Sequence, residues 1–278
     1  MIVETHCHAV APDQRRYPRN LAEGFLGRWV RDLATEELLA RMKEAGIDRA
    51  VLVQAYGAYA TDNSYVADSV ARYPDLLAGV FAVDPAQPDA PQRVAYWARE
   101  RGLHGARIMT IAKPELALDD PRVIPVMERI GEVRIPLCLT TQFRQLPLLG
   151  RLLERFAGVN VALEHMGTPD LRGGPPYSAI QPLFDLARFP NCYIKFSTVS
   201  IDAAMSGKST CAAFFPRLLD RFGAHRLIWG SNFPATYDRT LKQQLELARE
   251  QLSFASTQEQ RWMFGETALR LWPTLGRG

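Results

Sequence analysis

Apolar and β-branched residues recur along the chain in eight short runs: IVETH from residue 2, RAVLVQ from 49, LAGVFAV from 77, HGARIMT from 104, IPLCLTT from 135, VNVALEH from 159, CYIKFST from 192 and RLIWGS from 226. Runs of this length suit strands covered on both faces. Most of the intervals between them carry helical signals. From Thr35 to Gly46, Thr35 reads as the N-cap, Glu36 and Glu37 fill the first turn, Leu38, Leu39 and Met42 share a face, and Gly46 is the stop. Between Asp89 and Gly102, Pro91 suits a first turn, and Val94, Trp97 and Ala98 share a face. Two amphipathic stretches, around 238–252 and 257–270, follow the last run and are expected to pack on the outside. Eight strand–helix units with no repeat or low-complexity linker predict a single (β/α)8 TIM barrel over residues 1–278. An open doubly wound sheet would need a glycine-rich phosphate loop after the first strand, and HCHAVAPDQRRYP stands there instead.

Composition narrows the function classes. With 278 residues, 47% of them hydrophobic and 23% charged, the chain can bury a large core, which excludes a disordered polypeptide. Its 33 basic and 30 acidic residues leave a net charge of +3, with no stripe of the kind that binds nucleic acid. The excess is local: residues 9–31 hold Arg15, Arg16, Arg19, Arg28 and Arg31 against Asp13 and Glu23. That stretch follows the first strand, so the barrel entrance is expected to be basic and to select a small anionic substrate. Cys7, Cys138, Cys192 and Cys211 form no CxxC pair, which argues against a zinc ribbon or dithiol site. The start MIVETHCHAV lacks the pattern of a secretory signal, and no run is long enough to span a membrane, so a cytoplasmic protein is expected. Oligomeric state stays open.

In a barrel of this kind the chemistry sits at the C-terminal ends of the strands. The first strand ends Glu4-Thr5-His6-Cys7-His8, and alternation places Glu4, His6 and His8 on one face. Two neutral imidazoles at i and i+2 can hold a metal or a substrate carbonyl, although an isolated HxH is as often a plain polar patch. His165 ends the sixth run, with Glu164 on the opposite face by alternation. His104 and His225 fall at the other end of the barrel and read as structural. Arg107 is a cation inside an apolar strand and either needs a partner such as Glu4 or serves as a clamp for a substrate carboxylate. Lys195 raises the same question on the seventh strand, though a lysine can snorkel to the rim. Asn232 sits in the turn after the eighth.

Taken together, the HxH of strand one, EHMGTPD after strand six and WGSNFP after strand eight resemble the amidohydrolase superfamily, in its amidohydrolase-2 branch, along nearly the whole chain. VLVQAYGAYATDN, AVDP, HGARIMT and EHMGTPDLRGGP are similar to the 2-pyrone-4,6-dicarboxylate lactonases and related sugar-lactone hydrolases of that branch. The resemblance implies that His6 and His8 contact a catalytic zinc or the substrate carbonyl, and that His165 assists hydrolysis. The family usually has a water-activating aspartate where Asn232 stands, and an amide cannot act as a carboxylate base. Strand five ends Leu139-Thr140-Thr141-Gln142, without the histidine or carbamylated lysine of metal-dependent members. A catalytic zinc wants three protein ligands and water, and His6 and His8 supply two.

These readings together predict a metal-independent hydrolase opening a carboxylated or polyhydroxylated lactone. Its catalytic set is His6, His8, His165 and Asn232, and its substrate contacts are Arg107, Gln54, Thr140, Lys195 and Arg16. Water activation falls to His165, or to a nearby carboxylate such as Asp84 or Asp62. Two alternatives stand beside it: a hydrolase or nonoxidative decarboxylase using zinc or another divalent metal at His6 and His8, and a catalytically inactive barrel that only binds its ligand.

Overall fold

The computed structural model describes residues 1–21, 31–235 and 238–276. The eight apolar runs form β1 (Val3–Cys7), β2 (Arg49–Val53), β3 (Leu77–Ala82), β4 (Gly105–Met109), β5 (Leu137–Thr140), β6 (Val161–Leu163), β7 (Cys192–Phe196) and β8 (Leu227–Trp229). They lie parallel in sequence order, with helices between them, as a (β/α)8 barrel. The ring closes through the segment that follows β8. Asn232 N donates to His6 O at 2.7 Å and His8 N donates to Phe233 O at 2.8 Å. Thr5 Oγ1 donates to the Trp229 carbonyl lower on the same seam. The seam therefore runs through residues expected to carry the chemistry.

Strand side chains divide between two cores. Residues such as Leu52, Phe81, Ile108 and Leu163 face outward and pack with the helices. Val3, Val51, Val80, Ala162 and Ile228 fill the interior. Ala268, Leu271, Trp272 and Leu275 belong to that inner cluster, so the end of the stretch expected on the outside plugs the barrel floor instead. The small residues Ala78 and Ala162 leave a gap there, and close packing is restored by the bulk of Leu271 and Trp272. The other late helix, Leu241–Gln251, does pack outside, against the helix Thr35–Ala45.

Two local expectations shift. Ala34, with no side-chain cap, precedes the Thr35–Ala45 helix, while Gly46 ends it at φ 69°. Thr35 spends its hydroxyl on Ser69 and Tyr65. On β1, Glu4 pairs with Ala50 and Cys7 with Leu52, so three steps on β1 span two on β2. This bulge resets the alternation. Glu4 therefore does not join the histidines; its carboxylate accepts from His6 N at 2.7 Å and Ser231 N at 2.9 Å.

The floor plug yields the first prediction. Trp272→Ala should lower the free energy of unfolding by about 3–5 kcal/mol, measured by urea denaturation, because it empties a buried site that nothing nearby can refill. A loss under about 1 kcal/mol would show that Trp272 is dispensable to the core.

Candidate active site

His6 and His8, one bulge beyond Glu4, are both buried. Their rings meet edge to face, with centroids 4.9 Å apart. The His165 ring centroid lies 4.7 Å from that of His6, and His165 reaches that position by an unusual route. After β6 stops at Leu163, His165, Met166, Gly167 and Thr168 all take positive φ, between 52° and 70°. This left-handed turn ends the strand alternation, so Glu164 and His165, expected on opposite faces, both enter the site. Left-handed backbone costs roughly 1–2 kcal/mol for each residue with a Cβ. Such strain concentrates where it delivers functional groups.

Glu164 is the centre of the arrangement. Its Oε2 accepts from Arg107 Nε at 2.8 Å and from the Thr140 hydroxyl. Its Oε1 lies 3.0 Å from His6 Nδ1 and 3.5 Å from Lys195 Nζ. Arg107 also donates to Thr140 Oγ1 from Nε at 3.2 Å and Nη2 at 3.0 Å. Five strands or strand ends thus meet on one buried carboxylate. Arg107 has its partner, but that partner is Glu164, since the β1 bulge commits Glu4 to the seam. Burial alone would raise the Glu164 carboxyl; Arg107, His6 and Lys195 outweigh it and hold the group well below the usual carboxylate range.

The three imidazoles are kept neutral. Burial, with help from Arg107, brings His8 down to about 3. Burial brings His165 to about 4 and pushes His6 well below its ordinary value against the pull of Glu164. Each ring turns Nδ1 to an anchor: His8 to Val53 O at 2.8 Å, His165 to Ser197 Oγ at 2.8 Å, and His6 obliquely to Glu164. A carbonyl can only accept, so Nδ1 of His8 carries the proton and Nε2 is a lone pair. Asn232 Oδ1 is placed 3.3 Å from that nitrogen; two acceptors would repel, so the amide is better turned by 180° with its NH2 donating there.

Above this layer the described residues enclose a cavity of about 180 Å³, with His8, Arg107, Thr140, His165 and Asn232 on its polar side and Met109, Ile111 and Val199 on its apolar side. Five of the expected residues therefore converge, with His6 directly beneath them. Three others lie elsewhere. Gln54 donates to the carbonyls of Ala60 and Asp62 and braces the loop after β2. Lys195, far from snorkelling, is wholly buried under the site and donates to Thr5 O at 2.9 Å. Arg16 lines a separate groove and pairs with Asp68 at 2.8 Å. Arg19 pairs with Asp32, and Arg28 and Glu23 lie outside the described residues. Asp84 is held by Lys113 at 2.7 Å, and neither it nor Asp62 lines the cavity. Glu164, Ser197 and Tyr56, the last also a cavity residue, were not among the expected site residues. Glu164 had a signal: two cations inside apolar strands require a buried anion.

The profile of the amidohydrolase family matches residues 3–274. The chain belongs to the amidohydrolase family. Within 211 residues this amidohydrolase is 28% identical to the L-fucono-1,5-lactonase of Burkholderia ambifaria, covering 74% of the chain and 71% of that protein. Its barrel superposes with a TM-score of 0.81 on a structure from Pseudomonas putida described as a 2-pyrone-4,6-dicarboxylic acid hydrolase, at 23% identity over 98% of this chain and 97% of that one. With an amidohydrolase from Burkholderia multivorans, solved with bound zinc, the TM-score is 0.76 at 19% identity, over 98% and 99% of the two chains. Among the described residues of this amidohydrolase, the ligand atoms that come within 4.8 Å of one another belong to His6, Glu164 and His165. His8, expected to share a metal with His6, is not in that group. No described helix is long and apolar enough to cross a membrane.

The depressed histidines make stability depend on pH. An unfolded imidazole titrates near 6.5, whereas folded His8 and His165 titrate at about 3 and 4. Stability is therefore full above pH 6.5 and falls as pH drops toward 4, because the unfolded chain binds protons that the fold refuses. Urea unfolding at pH 7 and pH 5 should show the lower midpoint at pH 5, and His165→Gln should reduce the difference between them. Equal midpoints would mean that these imidazoles are not held neutral by burial.

Proposed function

We propose that this amidohydrolase hydrolyses a lactone ring without a metal, and that the ring is polyhydroxylated rather than heavily carboxylated. The lactonase names of its relatives point to the reaction, and the cavity supports it. The observation that carries the reading is the set of neutral imidazoles and amide around one open space: His165, His8 and Asn232 line it together with Arg107 and Thr140. A lactone is an ester and a better electrophile than an amide, so an imidazole base suffices where the family's aspartate is replaced by Asn232.

In this mechanism water attacks the carbonyl carbon as His165 takes its proton. Arg107 and the amide of Asn232 donate to the oxyanion as charge develops on it. Collapse breaks the bond to the ring oxygen, and the imidazolium of His165 returns its proton to the departing alkoxide. The product is an open hydroxy acid.

Charge on the cavity wall argues for the hydroxylated substrate. Arg107 is the one cation among the described lining residues, and Glu164 already neutralises it. Arg16 and Arg19, which were expected at the entrance, do not line the cavity and are paired with Asp68 and Asp32. A dicarboxylate would find little to balance a second negative charge, while the Thr168 hydroxyl oxygen and the Asn232 side-chain amide present uncharged polar groups to hydroxyls.

The metal-dependent alternative has one feature in its favour: among the described residues, neither ring nitrogen of buried His6 has a well-aligned hydrogen-bond partner. The donor chemistry outweighs it. A dication at His6, Glu164 and His165 would share the Glu164 carboxylate with Arg107 and Lys195 and meet both positive charges at close range. The residues do not fit a catalytic zinc.

Purified protein treated with chelator and shown by elemental analysis to hold less than stoichiometric metal should open 1,5-aldonolactones faster than pyrone dicarboxylates. Strict dependence on added zinc, or no turnover on any lactone, would sink the proposal. His165→Ala should lower kcat by about 10²–10⁴-fold. Because the base stays unprotonated down to about 4, kcat/KM should hold level between pH 7 and pH 5. A fall with a midpoint near 6.5 would point to a base other than His165.

A further inference from the structure

Lys195 has no place in the mechanism just described, yet a fully buried ammonium is a costly feature. It sits on β7 beneath the cavity, 0% exposed. Its Nζ donates to Thr5 O at 2.9 Å, lies 3.5 Å from Glu164 Oε1 and 3.6 Å from Cys138 Sγ, and stands 5.6 Å from the centre of the Trp272 ring. Its contacts thus join β1, β5, the floor plug and the strand end that carries Glu164.

The oxygen that Lys195 faces is the one facing His6. Glu164 Oε1 is shared between Lys195 Nζ and His6 Nδ1, while Oε2 is taken by Arg107 and Thr140. The carboxylate plane is therefore fixed by two cations, one on each oxygen. A ring lone pair 3.0 Å from a carboxylate oxygen would be repelled, so the His6 proton belongs on Nδ1. Nε2 is then an unprotonated acceptor, buried and without a hydrogen-bond partner among the described residues. The His6 ring packs edge to face on both cavity-lining imidazoles, 4.9 Å from His8 and 4.7 Å from His165. A change in the plane of His6 would therefore be felt by both of those rings.

We infer that Lys195 is a positioning residue for the hydrolysis: through Glu164 it holds His6 in the Nδ1–H tautomer, and the plane of His6 in turn bears on His8 and His165. This rests on the lactonase reading only for its kinetic consequence. The contacts of Lys195 with Thr5 and Trp272 extend the support to the barrel floor.

The test is histidine ¹⁵N NMR on the full-length protein, combined with kinetics of Lys195→Met, which keeps the unbranched side chain one atom shorter and removes its charge. In the wild type, His6 should show a protonated Nδ1 and an unprotonated Nε2. In Lys195→Met that pattern should be lost, and kcat should fall by about 10- to 100-fold while KM stays within about twofold. A wild-type His6 protonated on Nε2 would overturn the inference, as would a Lys195→Met enzyme with wild-type kcat or an unchanged His6 spectrum. If Lys195→Met does not fold, the wild-type spectrum decides the tautomer, and Glu164→Gln, which keeps shape but not charge, should reproduce the kcat loss. The spectra need no substrate, so a failure of the lactone assignment would leave this part of the test intact.

Discussion

One buried carboxylate organises this protein. Glu164 sits at the centre of the barrel mouth with Arg107 and Thr140 on one oxygen and His6 and Lys195 around the other. Without it, two cations would be left in an apolar interior, and an uncompensated buried charge typically costs 3–5 kcal/mol. With it, strands from opposite sides of the barrel share a single polar hub, and every group at the hub has a defined orientation. The same hub shapes the chemistry. It anchors Arg107, leaving little free positive charge in the cavity, and it competes with any metal for the carboxylate.

The backbone delivers that carboxylate by departing from regular structure twice. A bulge on β1 separates Glu4 from the histidines, and a left-handed turn after β6 brings Glu164 and His165 to the same side. Both departures occur at the C-terminal rim, where strand ends are free of the ladder on one side. Closure of the barrel also falls there, through Asn232 and Phe233 against His6 and His8. Asn232 therefore has two tasks: its backbone completes the ring, and its amide turns toward His8. An aspartate at that place would put a negative charge beside the His8 lone pair, and the amide avoids this.

Charge behaves differently in sequence and in space. The basic stretch after β1 carries a local excess when counted along the chain, but Asp68 and Asp32, outside that stretch, take up Arg16 and Arg19. What faces the cavity is mostly neutral: an amide, hydroxyls, uncharged imidazoles and an apolar wall of Met109, Ile111 and Val199. Such a surface suits a ligand rich in hydroxyls with an apolar edge. The floor plug shows the same limit in another form, since the amphipathic pattern of 257–270 does not reveal which surface its apolar face covers.

Local pattern was enough to place all eight strands, the barrel they form and the residues at their C-terminal ends, because burial on both faces and alternation with helices leave a mark on neighbouring positions. It was also enough to single out His6, His8, His165 and Arg107, since polar groups in apolar runs stand out, whereas Asn232 reads locally as a turn residue and was drawn in by the resemblance to the family. Only the tertiary structure decided which partner each of them meets. Glu164 and Lys195 are far apart in sequence and touch only when β6 and β7 are neighbours in a closed ring. The bulge and the left-handed turn that re-aim Glu4 and Glu164 arise from the register between strands, which has no local signature. Ion pairing across the barrel depends on distance in space, and the order of residues along the chain does not contain it.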